Sequence, residues 1–381
     1  MNNRKTLFIL LGVIVVAAIG LVIWSRSGFK GSNEVEDINI GAVLPLTGPA
    51  SDIGKWQQKG LDLAVEQINA RRTGGAPKLR MIYQDSAGDP RTGVSAFSQI
   101  LAQKKTPVII SSLSSVSNAV LPLTKEQKVN VILLAVSLPA ITKQSEYAYR
   151  FNVGSEDEAK VMATYITNQA KVSRVAVYYI NDEFGLGALE VFKRDFAATG
   201  GQIVWEESYA AAATDHKSVL AKMGQSNAEG LYVIGYTRAS ALAVKQLREM
   251  GNKMPVFANM ALTVPTFTQL IGDAIEGATF TTNYFDASTT DEQVKTFVQA
   301  YTQRYNEPPT FFGAFAYDSV QVLAPLLTSP QTTADDIRAG LTPQKQFSGV
   351  MGKFSVDQER NFRFPVKLVQ LKQGKLQEIA Q

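Results

Sequence analysis

The chain of 381 residues contains no cysteine and a single histidine. These absences exclude disulfide frameworks, thiol nucleophiles, a lipid-modified N-terminal cysteine, Cys-ligated zinc and every paired-histidine metal motif. Surplus charge is scarce as well. The formal charge is +4, from 38 Lys and Arg against 34 Asp and Glu, but Arg4, Lys5, Arg26 and Lys30 all fall in an N-terminal stretch that holds no acid. Beyond it the two signs balance, so nothing stands ready to neutralise phosphates and no nucleic-acid partner is expected. Repeats of solenoid length and low-complexity tracts are missing too. What remains is an ordinary soluble composition, 45% hydrophobic and 19% charged, with length enough for two domains.

The one long hydrophobic run is Leu7 to Trp24, 18 residues without a charge, preceded by Arg4 and Lys5. As a helix it spans about 27 Å, enough for a bilayer core. That is long for a cleaved signal, whose tidy site would be Ser25-Arg26-Ser27, so the pattern favours a retained anchor. Basic residues are balanced across the run, and the free amino terminus tips it toward the cytoplasm, leaving the body on the periplasmic or extracellular face. Gly28 to Glu36 is a polar tether, which makes 1–36 a signal or anchor helix plus linker.

From Ile38 the chain alternates short β-rich apolar runs with helical patterns. Ile38 to Leu44 is followed by Leu61, Ala64, Val65 and Ile68 at helical spacing. Further strands are expected at Leu79 to Tyr83, Val108 to Ile110, Val129 to Leu134, Val175 to Ile180, Ile203 to Glu207, Leu231 to Ile234 and Val256 to Ala258. Ala159, Met162, Ala163, Ile166 and Ala170 keep one apolar stripe between two of them. Repeated β-α order predicts an α/β fold of parallel sheets with helices on both faces. Two sheets are required, because one would have to hold roughly ten strands.

Several acidic clusters read as helix starts. Ser155 to Glu158 and Thr290 to Gln293 match a capping box, and Thr333 to Asp336 places negative charge at a helix N-terminus. Gly48 to Lys55 misses the phosphate-loop spacing and has Trp56 where Ser or Thr belongs; Gly185-Leu186-Gly187 lacks the third glycine of a dinucleotide fingerprint, Glu190 standing there instead. Those glycines suit helix packing. His216 has no nucleophile elbow to serve and is expected to be dispensable.

The segment Ile110 to Ser117 is richer in chemistry. It carries Ser111, Ser112, Ser114, Ser115 and Ser117 between a strand and a helix expected over Asn118 to Gln127. Hydroxyls and free N–H groups at such a turn make an anion site. The next strand ends at Ala135-Val136-Ser137, bringing a carbonyl and another hydroxyl to the same carboxyl edge. The competing reading is that these serines only cap the helix.

The order of segments resembles the type I periplasmic solute-binding proteins, in particular the branched-chain amino acid (Leu/Ile/Val) group that serves ABC transporters. The residues carrying the likeness are Ile40 to Gly48, Gly60 to Asn69, Asp85 to Pro90, Asp182 to Gly187 and Phe347 to Ser355. The resemblance implies two doubly wound lobes joined by a three-crossover hinge: 37–152 plus 284–347, and 156–281 plus 350–381, with the hinge near 152–156, 281–284 and 347–350. It also implies a solute cleft between them. Carried over by position, Ser114, with Ser115 beside it, and the pair Ala135 and Ser137 hold the solute's carboxylate and amino groups. Phe184, Tyr236 and Asn259 face them from the second lobe. Gly88 and Leu113 stand where some members have a disulfide. The acid that amino-acid binders present from the second lobe is missing from Phe257 to Leu262, with Asp182 or Glu183 as possible substitutes and Arg238 a cation just beyond Tyr236. The implied function is solute capture for an ABC permease, without a cofactor or metal; the alternatives are a membrane-anchored sensor ectodomain and a cleft hydrolase using Asp182 or Glu183.

Overall fold

The computed structural model describes residues 36–103, 105–283 and 285–379. The expected anchor and tether lie outside these residues except for Glu36, and no helix of the described residues is long and apolar enough to cross a membrane. From Asp37 onward the chain forms one compact unit.

The first sheet is all parallel, from β1 (Ile38–Leu44), β2 (Leu79–Asp85), β3 (Val108–Ser112), β4 (Asn130–Leu134) and β5 (Ala148–Arg150), in the order β2-β1-β3-β4-β5. β1 is buried along its whole length, as expected for a strand covered by helices on both faces. The second sheet repeats the design with β6 (Arg174–Ile180), β7 (Gln202–Tyr209), β8 (Gly230–Ile234), β9 (Val256–Ala258) and β10 (Thr279–Thr282), in the order β7-β6-β8-β9-β10. Each core therefore reverses strand order once, between β1 and β3 and between β6 and β8. A reversal leaves a crevice at the strands' carboxyl ends, where the helices leave in opposite directions.

A small antiparallel sheet follows, of β11 (Gln346–Gly349), β12 (Gly352–Val356) and β13 (Phe362–Arg363); β14 (Lys367–Lys372) and β15 (Lys375–Ile379) then extend the second sheet antiparallel from β10. The eight runs expected from the sequence are all strands. β5 was too short to signal, and β10, β14 and β15 are too polar for a buried-strand pattern.

Helices are placed by their apolar stripes. Ser155–Asn168 buries Ala159, Met162, Ala163 and Ile166, of which Met162 and Ile166 each contribute roughly 1.5 to 3 kcal/mol relative to exposure. The helix Phe311–Leu323 returns to pack on Ser51–Arg71. The approach is so close that a Cβ on Gly60 would collide with the carbonyl of Gly313. Of the other expected caps, Thr333 and Asp336 form their box. At the helix Glu292–Tyr305 the cap shifts one residue, Asp291 accepting from the N–H groups of Gln293 and Val294 at 2.9 and 3.1 Å.

The expected third boundary at 347–350 falls inside the small sheet. That sheet bridges to the first one through Arg150 and Asn361, and Arg360 donates to the carbonyls of Ala148 and Thr142. Phe151 packs on Phe354, Phe362 and Phe364. Asp318, on Phe311–Leu323, accepts from the N–H groups of Val350 and Met351 at 3.0 and 2.8 Å. These contacts hold 346–363 to the first sheet, and the connection into the second runs between Arg363 and Lys367.

Candidate functional site

The two switch points face one cavity, partly open to solvent, with about 30 Å³ of room for the centres of water-sized molecules. Leu113, Ser114, Ala135 and Ser137 reach it from the ends of β3 and β4, and Phe184, Tyr236, Asn259, Met260 and Ala261 from the ends of β6, β8 and β9. Ile53, Asn152, Glu158, Phe311 and Phe312 complete the lining. The structure thus brings together Ser114, Ala135, Ser137, Phe184, Tyr236 and Asn259. Ser115 is not among the lining residues; it lies half-buried one step along the helix. Arg238 is exposed at the start of the helix Arg238–Glu249 and does not line the cavity either.

The serine segment is shorter than the sequence suggested, because the helix begins at Ser114 and runs to Gln127. Leu113 precedes it with φ 71° and ψ 141°, a backbone region that L residues rarely occupy. Leu113 is held there by its own N–H to the Leu134 carbonyl and by its carbonyl to the Ser117 N–H. Ser111 and Ser117 satisfy each other at 2.9 Å. The Ser114 hydroxyl is buried and has no protein partner. It opens a helix with no acid in its first turn, so an anion there meets a free hydroxyl and the positive end of the helix dipole.

Ser137 is engaged elsewhere. Its hydroxyl donates to the Val153 carbonyl at 2.8 Å and accepts from Asn152 Nδ2 at 2.9 Å, while its carbonyl accepts from the Ser155 N–H and hydroxyl. A hydroxyl has one proton, so Ser137 cannot also donate to a carboxylate; it ties the end of β4 to the first connection between the sheets. Asn259 is likewise held, its Oδ1 accepting from the Gly235 N–H at 2.9 Å.

On the second-sheet side Phe184 and Tyr236 meet edge to face, with ring centroids 5.6 Å apart. Asp182 caps the helix Glu183–Ala198 through the Gly185 N–H and accepts the Tyr236 hydroxyl. Burial raises its carboxyl above the usual range against both bonds. A Cβ on Gly185 would collide with the Ile180 carbonyl, which is why the helix can start so close to β6. Glu183, also raised by burial, bonds Asn118 across the cleft instead of reaching the cavity.

Glu158 is the residue that sequence reasoning missed. Ser155–Asn168 starts without a side-chain cap, so the expected capping box does not form there. Ser155 bonds Ser137 instead, and Glu158 points into the cleft. Among the described residues it is the only acid lining the cavity, and no Lys or Arg does. Its Oε1 accepts from the Met260 N–H at 3.0 Å and the Thr281 hydroxyl at 2.5 Å. Burial pushes its carboxyl up to about 7, with those two bonds opposing. Applying the strand-end argument to β1 would have found Ile53, but no local signal marks Phe311 or Phe312. His216 lies away from the cavity, fully buried, with Nδ1 2.9 Å from the Tyr178 hydroxyl.

Two mirrored switch points closing on one cavity define a solute-binding clamp. The sequence model of the family described as Periplasmic binding protein matches residues 37–375. A Leu/Ile/Val-binding protein homolog 3 from Brucella melitensis is 30% identical over 75% of this chain and 77% of its own. Among solved structures, the branched-chain amino acid transporter substrate-binding protein LivJ from Streptococcus pneumoniae, in complex with isoleucine, superposes with TM-score 0.81 at 24% identity, over 90% of this chain and 98% of its own. A solute-binding protein of an ABC transporter from Rhodopseudomonas palustris, in complex with 3,4-dihydroxybenzoic acid, gives 0.81 at 22% identity, over 90% and 96%. The chain belongs to the periplasmic binding protein family, in the type I group that includes the branched-chain amino acid receptors of ABC transporters.

Proposed function

We propose that the protein captures a small carboxylate, an amino acid or an aromatic acid, outside the cytoplasm and hands it unmodified to an ABC permease. The observation that carries this reading is the buried, partnerless Ser114 hydroxyl at a helix N-terminus, aimed into the cavity that Phe184 and Tyr236 close from the other side. Hydroxyl and dipole suit a carboxylate, and the aromatic pair with Phe311 and Phe312 suits an apolar or aromatic side group. The relatives add support from both classes, one structure holding isoleucine and another 3,4-dihydroxybenzoate.

In this reading each sheet with its helices is a lobe, and the three connections, which leave the sheets after Arg150, after Thr282 and after Arg363, act as the hinge. The cavity is lined from both lobes, so a bound solute touches both and binding is coupled to closure. The run Leu7 to Trp24 is the membrane anchor that keeps the receptor near its permease. The deciding experiment is a thermal-shift screen over amino acids, their 2-keto analogues, benzoates and amides, followed by small-angle scattering with each hit. A stabilising carboxylate that also reduces the radius is expected. Stabilisation by amides alone would sink the proposal.

A further inference from the structure

We infer that Gly187 and the Leu138-Pro139 segment form the seam on which the two lobes stop, and that this seam, which touches no solute, sets the affinity for every solute the cleft takes. The inference rests on the closing clamp described above and adds its positioning residues. Gly187 lies near the start of the helix Glu183–Ala198, which follows β6, while Leu138 and Pro139 follow β4. A Cβ on Gly187 would stand 2.8 Å from Leu138 Cδ1 and 3.1 Å from Pro139 Cδ, and those two residues supply all three of its nearest atoms. Gly185, two positions earlier, is fitted to its own sheet through the Ile180 carbonyl. Gly187 is fitted to the opposite lobe. Neither it nor Leu138 nor Pro139 lines the cavity.

The rest of the seam limits approach without holding the lobes together. The helix Ser114–Gln127 packs on Glu183–Ala198, and Asn118 donates to Glu183 across that contact. Asn118 Oδ1 and Glu183 Oε2 are left buried without a partner. Closing therefore takes two acceptors out of water and returns one hydrogen bond, a poor net exchange. The apolar part is small as well, one leucine and one proline against a residue with no side chain. The solute supplies the drive and the seam supplies the stop. Glycine inside a helix is destabilising relative to most residues. At position 187 the closed form alone offsets this, because with the lobes apart neither Leu138 nor Pro139 stands against the helix. A side chain there raises the free energy of the closed form and leaves the open form untouched. Apparent affinity then falls by the same factor for any solute that binds the closed form.

The test pairs calorimetry with melting of the empty protein, using leucine and 3,4-dihydroxybenzoate as probes. The proteins are the wild type, Gly187→Ala, Gly187→Gln and the double variant Leu138→Ala with Gly187→Ala. Ala and Gln are better helix formers than glycine, so the empty Gly187 variants should melt at or above the wild type. Affinity should fall about tenfold or more for Gly187→Gln and less for Gly187→Ala. Every probe that binds the wild type should lose the same factor. The double variant, with the tip of Leu138 removed, should regain part of the loss. The chain has no cysteine, so spin labels at Lys125→Cys and Glu190→Cys, exposed on the two facing helices, read the separation directly. At saturating probe the label distance should be longer in Gly187→Gln than in the wild type. Unchanged affinity, a loss confined to one of two bound probes, a double variant no better than Gly187→Ala, or an unchanged label distance overturns the seam and leaves the carboxylate reading standing. Binding of neither probe by the wild type overturns both.

Discussion

Tyr236 donates its phenolic proton to Asp182 Oδ2 at 2.5 Å, and Asp182 uses its other oxygen to cap the helix that carries Phe184. The aromatic wall of the cavity is therefore fixed by an acid that is not part of the lining. Tyr236→Phe keeps the ring and removes the bond, leaving a buried carboxylate with one donor fewer. Stability should fall by about 1 to 3 kcal/mol, read from urea unfolding, with solute affinity changing less than stability. An unchanged midpoint would mean the bond contributes nothing net.

Ser114 and Ser137 look alike in sequence and differ in what their hydroxyls do. Ser114→Ala should weaken carboxylate binding by roughly 1.5 to 3 kcal/mol, tenfold to somewhat over a hundredfold, at little cost to folding. Ser137→Ala breaks bonds to Val153 and Asn152, so about 1 kcal/mol of stability should go first. Paired calorimetry and melting curves separate the two, and the reverse order would reassign the anion site.

At Leu113 the usual ranking of small residues should invert. Glycine normally costs about 1 kcal/mol relative to alanine, but at φ 71° only glycine is unstrained. Leu113→Gly is expected to melt above Leu113→Ala, both below the wild type because the buried leucine contact is lost. Alanine melting higher would show that the backbone relaxes.

Glu158 gives the empty protein a pH dependence of definite sign. Its carboxyl is raised from 4.5 to about 7, so the folded chain holds the proton more tightly than the unfolded one. This contribution is fully present below the unfolded value and is lost as pH rises through the folded one. Across pH 4.5 to 7 the wild type should lose on the order of 3 kcal/mol relative to Glu158→Gln. His216, lowered by burial, contributes in the opposite sense and cancels in the difference. Parallel denaturation curves for the two proteins at all pH values would refute the assignment.

Eight strands were legible because the signal is local: short β-rich apolar runs alternate with segments that carry a helical stripe. Their alternation put Ser114 and Ala135 at strand ends, and the family resemblance added Phe184 and Tyr236 from the opposite side. The same local logic misled at Ser155 to Glu158. Four residues of a capping signature cannot say whether the last acid faces water or a cleft, since that depends on which sheet the helix lies against and on Met260 and Thr281, more than a hundred residues away. Ser137 carries the same lesson, its proton taken by Val153. Nor could a pattern place the last connection, which Asp318 and the rings around Phe151 fix. The sequence by itself determined the elements, their order and the edge where a site could form. Only the tertiary structure decided which hydroxyl stayed free and which carboxylate entered the cavity, because a hydrogen bond is spent or spare according to what long-range packing brings beside it.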